Sequence, residues 1–248
     1  MEGWVEATVV ENKRWNQRLC SLRVTADELP EFRAGQFLRL GLEVDGELVA
    51  RPYSLVNAPH EAEGEFYFNK VDEGPLSPRL HSLEQGGKVW LSKMVAGFLT
   101  LDDIPPGKRL WMLATGTALG PFLSILKTEQ VWQQYQQVML VHGVRSADEL
   151  AYSDLISEIQ KQQGENFVFL KSVTREIVVD ALPQRIPDAI AAGHLEALLG
   201  VTINPDEDRV MLCGNPGMVE GCVTQLEIKG LKRHRRRNPG QVVMEIYK

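Results

Sequence analysis

The chain has 248 residues, 44% hydrophobic and 24% charged, with a formal net charge of −6 and three cysteines. That length suits two domains of ordinary size, and no apolar run approaches the roughly 20 residues a membrane-spanning helix needs. Cys20, Cys213 and Cys222 are too few and too scattered for a disulfide framework, a zinc site or an iron–sulfur centre.

The N-terminal "MEGWVEATVV" lacks the basic stretch, apolar core and small-residue cleavage site of a secretory signal, so the cytoplasm is the expected location. From there, "EATVVENK", "LCSLRVTA", "QFLRLGLEVDGELVARPYSLV", "GEFYFNKV" and "GKVWLSKM" read as short β segments. Asp45-Gly46 between two apolar runs is a hairpin signal, because both residues tolerate the positive φ of a type I′ turn. Many short strands with turn punctuation imply an antiparallel β-barrel. At "LDDIPPGKRL" two prolines and a glycine interrupt the pattern. The boundary is expected there, giving domains over 1–101 and 102–248.

Beyond it, apolar runs alternate with helical stretches: "RLWMLATG" and "PFLSILKTEQ", "QVMLVHGV" and "YSDLISEIQKQ", "FVFLKSVT" and "RIPDAIAAGHLEALLG", "RVMLCGN" and "MVEGCVTQLEIKG", with "QVVMEIY" last. Strands apolar throughout and alternating with helices imply a doubly wound α/β domain on a parallel sheet. Ligands of such sheets bind at the C-terminal strand ends.

Several strand ends carry candidate chemistry. In "ATGTALGPF", Gly116 and Gly120 permit a tight turn before a helix, a place for a pyrophosphate; the spacing is neither G-x-G-x-x-G nor a P-loop, and alone it is a weaker signal than plain turn chemistry. "LCGNPGM" repeats the logic with Gly214, Pro216 and Gly217, and its Cys213 reads as packing or as chemistry. "HGVR" ends in Arg145 and "SVTR" in Arg175, with Arg185 in the loop after it. Singly these are surface arginines; together at one sheet edge they point to a nucleotide with more than one phosphate. His60, His81, His142, His194 and His234 have no ligand spacing and read as structural or solvated.

"RPYS" at 51–54, "GPLSPRL", "GTALGPF", "CGNPGM" and the terminal "EIY", in that order, resemble the ferredoxin (flavodoxin)–NADP reductase family of bacterial type. The resemblance implies an FAD-binding barrel, an NADP-binding α/β domain, and hydride transfer from NADPH to flavin followed by single electrons to ferredoxin or flavodoxin. It implies that Arg51 pairs with the FAD diphosphate, Tyr53 lies on the isoalloxazine, Ser54 hydrogen-bonds near its reactive edge, and Tyr67, Leu76 and Ser77 complete the FAD site. Pro52 stands at a variable position. Gly116 and Thr117 would lie between flavin and nicotinamide, Cys213 beside the nicotinamide, and Glu245 with Tyr247 over the other flavin face, so that Tyr247 must move aside for the nicotinamide. Val144, Arg145, Thr174, Arg175, Arg185, Asn215, Pro216 and Gly217 would hold NADP(H), the two arginines at 175 and 185 taking the 2′-phosphate despite the neighbouring Glu176.

The chain runs one residue past the family's aromatic, to Lys248, which is assigned to the cofactor site. Lys232, Arg233, Arg235, Arg236 and Arg237 in "KRHRRR" read as a solvated face or as a dock for an acidic carrier; no nucleic-acid module accompanies them. A monomer without metal is expected. Other readings are a flavin or NADH-linked reductase of the same fold, separable by nucleotide and acceptor, and a nucleotide-binding module without turnover, separable by colour.

Overall fold

The structure is a computed structural model describing residues 2–247. The chain forms two compact units, residues 2–100 with Gly120–Lys127, and Leu101–Leu119 with the remainder from Thr128.

The first unit is a six-stranded antiparallel sheet of β1 (Trp4–Arg14), β2 (Leu19–Thr25), β3 (Phe37–Val44), β4 (Glu47–Ser54), β5 (Gly64–Asn69) and β6 (Lys88–Ala96), in the order β4-β3-β6-β1-β2-β5. The β3–β4 hairpin turns at Asp45 (φ 53°) and Gly46 (φ 81°), the double positive φ expected of that pair. Register shifts between Val9 and Glu11 and between Leu38 and Leu40 mark bulges, which bend a sheet. The two edges then meet, because Leu55, just past β4, bridges Phe66 on β5, and Val56 N–H donates to the Glu65 carbonyl at 2.9 Å. The barrel closes at "RPYSLV". Leu22, Leu38, Leu40, Phe66, Leu80 and Leu91 fill its interior, and the five-residue helix α1 (Ser77–His81) follows β5.

The second unit is a six-stranded parallel sheet of β7 (Arg109–Thr115), β8 (Gln137–Val144), β9 (Phe167–Val173), β10 (Ala181–Leu182), β11 (Asp208–Gly214) and β12 (Val242–Ile246), ordered β10-β9-β8-β7-β11-β12. From β7 the chain builds outward to β10, then returns to the other side of β7. That reversal opens a crevice at the C-terminal ends of β7 and β11, where doubly wound sheets receive ligands.

The helices are α2 (Gly120–Leu126), α3 (Glu129–Gln134), α4 (Ser153–Gln163), α5 (Ile186–Ala191), α6 (His194–Leu199) and α7 (Pro216–Ile228). Two stretches expected as single helices are each broken. Thr128 is extended (φ −94°, ψ 150°) and starts α3 afresh, and Gly193 turns left-handed (φ 72°) between α5 and α6. Strand β10 is only two residues long, below what a periodic pattern can signal. Helix α2, which chain order gives to the second domain, packs with the first: Ser124 Oγ donates to the Asn57 carbonyl at 2.7 Å, and Lys127 pairs with Glu61 at 3.1 Å. Among the described residues no helix is long and apolar enough to cross a membrane, and no group of three His, Cys, Asp or Glu could hold a metal ion.

Candidate active site

In the first unit the candidate residues start from the end of β4. Pairing with β3 sets Arg51 opposite Leu40, Pro52 opposite Arg39, Tyr53 opposite Leu38 and Ser54 opposite Phe37. Strand alternation puts Arg51 and Tyr53 on one face. Pro52, exposed, sits on an edge strand, where a missing N–H is tolerated. Arg51 is exposed and spends one N–H on the Ala50 carbonyl at 2.9 Å. The Tyr53 ring is half-buried, standing edge-on to Phe68 with centroids 5.5 Å apart, and burial pushes its phenol up to about 12. It is therefore a neutral ring held upright beside a cation.

Ser54 is 8% exposed, Tyr67 5% and Leu76 2%. So little side-chain surface leaves Leu76 and Tyr67 mainly their backbone to offer a ligand. Ser77 Oγ accepts the Val71 N–H at 2.9 Å, which ties the 71–77 loop to the start of α1 and leaves the hydroxyl proton to donate.

In the second unit the candidate residues lie at the strand ends flanking the crevice. Gly116 follows β7 with φ +56°, and a Cβ built there would meet nothing within 4 Å. The backbone needs the glycine and the space above it is open. Thr117 is half-buried in the single 3₁₀ turn Gly116–Leu119. Across the crevice, Gly214 is crowded: a Cβ would lie 2.2 Å from Thr115 Oγ1 and 2.5 Å from Met218 Cε. Asn215 caps α7, accepting the Met218 N–H at 3.0 Å, while its amide reaches Thr115 Oγ1 at only 3.4 Å. Pro216 takes the first helical position, and Gly217 is exposed beside it.

Cys213, with no exposed surface, stands between Ala114 on β7 and Glu245 on β12. Burial first, and the Glu245 carboxylate second, hold its thiol well above the ordinary range, against a hydrogen bond from Tyr247. It is a thiol at neutral pH and a poor nucleophile. Desolvation raises the half-buried Glu245 carboxyl to about 7. The Tyr247 N–H donates to the Gly214 carbonyl at 2.8 Å, so the three residues form one cluster.

Farther along the sheet, Thr174 donates to the Val144 carbonyl through its N–H at 3.2 Å and its hydroxyl at 3.3 Å, and the Arg175 N–H donates to the Arg145 carbonyl at 2.8 Å. Val144 is 5% exposed and serves as backbone. Arg145 is exposed, 3.8 Å from Glu149. Arg175 and Arg185 are exposed and make no ion pair among the described residues. The neighbouring Glu176 is engaged by the Ala147 N–H, which ties its carboxylate to the 145–149 turn.

Residues 112–224 match the family model described as an oxidoreductase NAD-binding domain. The flavodoxin/ferredoxin–NADP reductase of Escherichia coli (strain K12) is 44% identical over 219 residues, 88% of each chain. The ferredoxin–NADP reductase of Pseudomonas aeruginosa is 37% identical over 246 residues, covering 96% of this chain and 95% of that one. The chain belongs to the flavodoxin/ferredoxin–NADP reductase family. A crystal structure of a ferredoxin NADP+ reductase from Neisseria gonorrhoeae, with bound FAD and NADP, superposes with a TM-score of 0.94 at 32% identity over 99% of both chains.

Two features of this family member went unread or half-read in its sequence. His142, assigned to structure or solvent, is completely buried, and its Nε2 lies 3.0 Å from the Gly116 carbonyl at the mouth of the crevice. Periodicity carries no signal for a contact 26 residues apart. The basic run is an ordered turn: His234 N–H donates to the Val242 carbonyl at 2.7 Å, and Arg235 and Asn238 exchange backbone bonds at 3.0 and 2.8 Å. Arg233 faces Glu227 at 3.3 Å, while Lys232, Arg235, Arg236 and Arg237 are exposed. The Lys248 assignment lies outside the described residues.

Proposed function

We propose that the protein is an FAD-dependent ferredoxin/flavodoxin–NADP+ reductase, with FAD on the barrel unit and NADP(H) on the parallel-sheet unit. Bound FAD supplies the step the side chains cannot, accepting a hydride from NADPH and releasing electrons singly. The observation that carries the reading is the pairing of Arg51 and Tyr53 on one face of the strand that closes the barrel. An exposed guanidinium suits a diphosphate, and a neutral, half-buried ring suits the face of an isoalloxazine.

On this reading Ser54 and Ser77 donate hydroxyl protons to the flavin edge and a phosphate oxygen, and Tyr67 and Leu76 contribute backbone. The open space above Gly116 is a cradle that any side chain would fill. Gly116 and Thr117 on one side, with Asn215, Pro216 and Gly217 at the start of α7 on the other, hold the nicotinamide half. Cys213 presents an uncharged, polarisable sulfur to that ring, Tyr247 moves aside for it, and Glu245 holds or releases a proton near neutral pH. Val144 and Thr174 shape the nucleotide bed by their backbone, Arg145 lies nearest a pyrophosphate, and Arg175 and Arg185 take the 2′-phosphate. Tying Glu176 to Ala147 removes its carboxylate from competition with that phosphate.

The basic turn at Lys232, Arg233, Arg235, Arg236 and Arg237 faces an acidic carrier, and the protein works as a cytoplasmic monomer. Purified protein should be yellow, release one FAD on denaturation, and bleach when NADPH is added without oxygen. Colourless protein that takes up no added FAD overturns the reading.

A further inference from the structure

We propose that His142 is a positioning residue for hydride transfer: its Nε2–H grips the Gly116 carbonyl and thereby aims the Thr117 N–H at the nicotinamide half of the bound nucleotide. The inference rests on the reading that the C-terminal end of β7 receives NADPH.

Every residue from Val138 to Val144 on β8 is buried, and His142 is the one polar side chain among them. Met139 and Val141 join the core packed on α5 and α7, so strand alternation turns His142 to the opposite face of the sheet. There its Nε2 reaches the Gly116 carbonyl at 3.0 Å. Burial lowers its pKa to about 4, so the ring is neutral and carries a single proton. A carbonyl can only accept, which places that proton on Nε2. Nδ1 is left as a buried acceptor with no partner among the described residues. A side chain kept for packing alone would be apolar here, because an unpaired buried acceptor costs stability. The arrangement makes sense if the donated bond does something stability does not require.

What it does follows from the peptide group. Gly116 is left-handed at φ +56°, a conformation that glycine adopts readily but that does not by itself fix the peptide plane, and the described chain has no cis peptide. In a planar trans peptide the carbonyl and the following N–H point in opposite directions. Fixing the Gly116 carbonyl on the buried imidazole therefore fixes the Thr117 N–H pointing away from the sheet. As the second residue of its turn, Thr117 has an amide with no partner inside that turn. One part-buried bond thus sets the direction of an amide that its own turn leaves unengaged.

The test compares holoprotein of wild type, His142→Leu, which keeps the bulk without the donor, and His142→Gln, which returns an N–H near the Nε2 position. Three quantities are measured: the single-turnover rate of flavin bleaching by saturating NADPH, the long-wavelength absorbance of the flavin–nicotinamide complex, and calorimetric affinity for 2′,5′-ADP, which lacks the nicotinamide. The leucine variant should bleach about 10- to 100-fold more slowly, the scale of a misplacement of about an ångström, and lose most of the long-wavelength band. Its 2′,5′-ADP affinity should stay within about twofold, and glutamine should return the rate to within about threefold of wild type.

A leucine variant that bleaches at the wild-type rate, or a glutamine variant as slow as leucine, overturns the positioning role. So does a loss of 2′,5′-ADP affinity parallel to the loss of rate, which would mark general damage to the unit. If the leucine variant does not fold, Gly116→Ala attacks the same bond from the other side, since a Cβ has room but the φ does not suit it; an unchanged rate there overturns the inference. Wild-type protein that NADPH does not bleach overturns the functional reading and this one with it, whereas wild-type bleaching with an unaffected leucine variant overturns this one alone.

Discussion

At the N-terminal end of the parallel sheet Asp208 has no exposed surface, and its carboxylate accepts from Arg109 at 2.7 and 3.0 Å, from the Trp111 indole at 2.9 Å and from the Asn204 N–H at 2.6 Å. At the C-terminal end of the same strands the polar groups are under-committed. Asn215 reaches Thr115 at 3.4 Å, Arg145 stands 3.8 Å from Glu149, Glu245 is desolvated, and Arg175 and Arg185 project into solvent. Both ends are rich in charge, yet only one is finished. A buried charge with every lone pair engaged holds the fold together, while groups whose partners are incomplete are those a ligand can complete.

Breaking the finished end should cost the most stability. Asp208→Ala would leave a guanidinium, an indole N–H and a backbone N–H facing an empty site, an expected loss of about 3–5 kcal/mol. Urea unfolding measures it, and NADPH-dependent bleaching of the folded fraction should be unchanged. A loss below about 1 kcal/mol would mean the cluster is replaceable and the two ends differ little in their hold on the fold.

The unfinished end should announce itself in the pH dependence of stability, with two opposed slopes. His142 titrates at about 4 in the folded chain against 6.5 ordinarily, so between those values the unfolded chain binds the extra proton. The stability it contributes, on the order of 3 kcal/mol in full, is present above pH 6.5 and is lost as pH falls towards 4. Glu245 acts in the other direction. Its folded value of about 7 lies above the ordinary 4.5, so its contribution is complete below pH 4.5 and is lost as pH rises through 7. In apoprotein, His142→Leu should flatten the acid slope and Glu245→Gln the neutral one. Unfolding free energies at intervals from pH 4 to 8 decide it, and slopes untouched by either substitution would show that these groups titrate normally.

Removing the exposed cations should do the reverse of Asp208→Ala, sparing stability and costing ligand. Arg175→Ala and Arg185→Ala should each raise the Michaelis constant for NADPH about 10- to 100-fold, the worth of one charge-assisted contact of about 1.5–3 kcal/mol. The constant for NADH, which has no 2′-phosphate, should barely move, and the melting temperature should stay put. Equal effects on both nucleotides, or a wild-type preference for NADH, would move the phosphate site elsewhere. The smallest effect belongs to the basic turn. Reversing the charges of Arg235 and Arg236 should slow ferredoxin reduction by about tenfold or less and flatten its salt dependence, while ferricyanide reduction by NADPH stays constant. Equal losses with both acceptors would tie the turn to folding instead.

The sequence by itself determined whatever is encoded within a few residues. The Asp45-Gly46 hairpin, the apolar strands, the Asn215-Pro216 helix start and the exposed arginines at strand ends all follow from local conformational preference and from apolar runs of strand length. The motifs of the proposed sites could be read for the same reason, since each sits on one turn or one strand end.

Only the tertiary structure decided what depends on groups distant in the chain. Leu55 meets Phe66 to close the barrel because bulges bend the sheet that far. Ser124 joins the first unit through a bond to Asn57, 67 residues away. Glu176, which looked like a rival of the phosphate, is claimed by Ala147. His142 and Glu245 bear no local mark of their unusual protonation, because desolvation is a property of everything packed around a side chain and of nothing beside it in the chain.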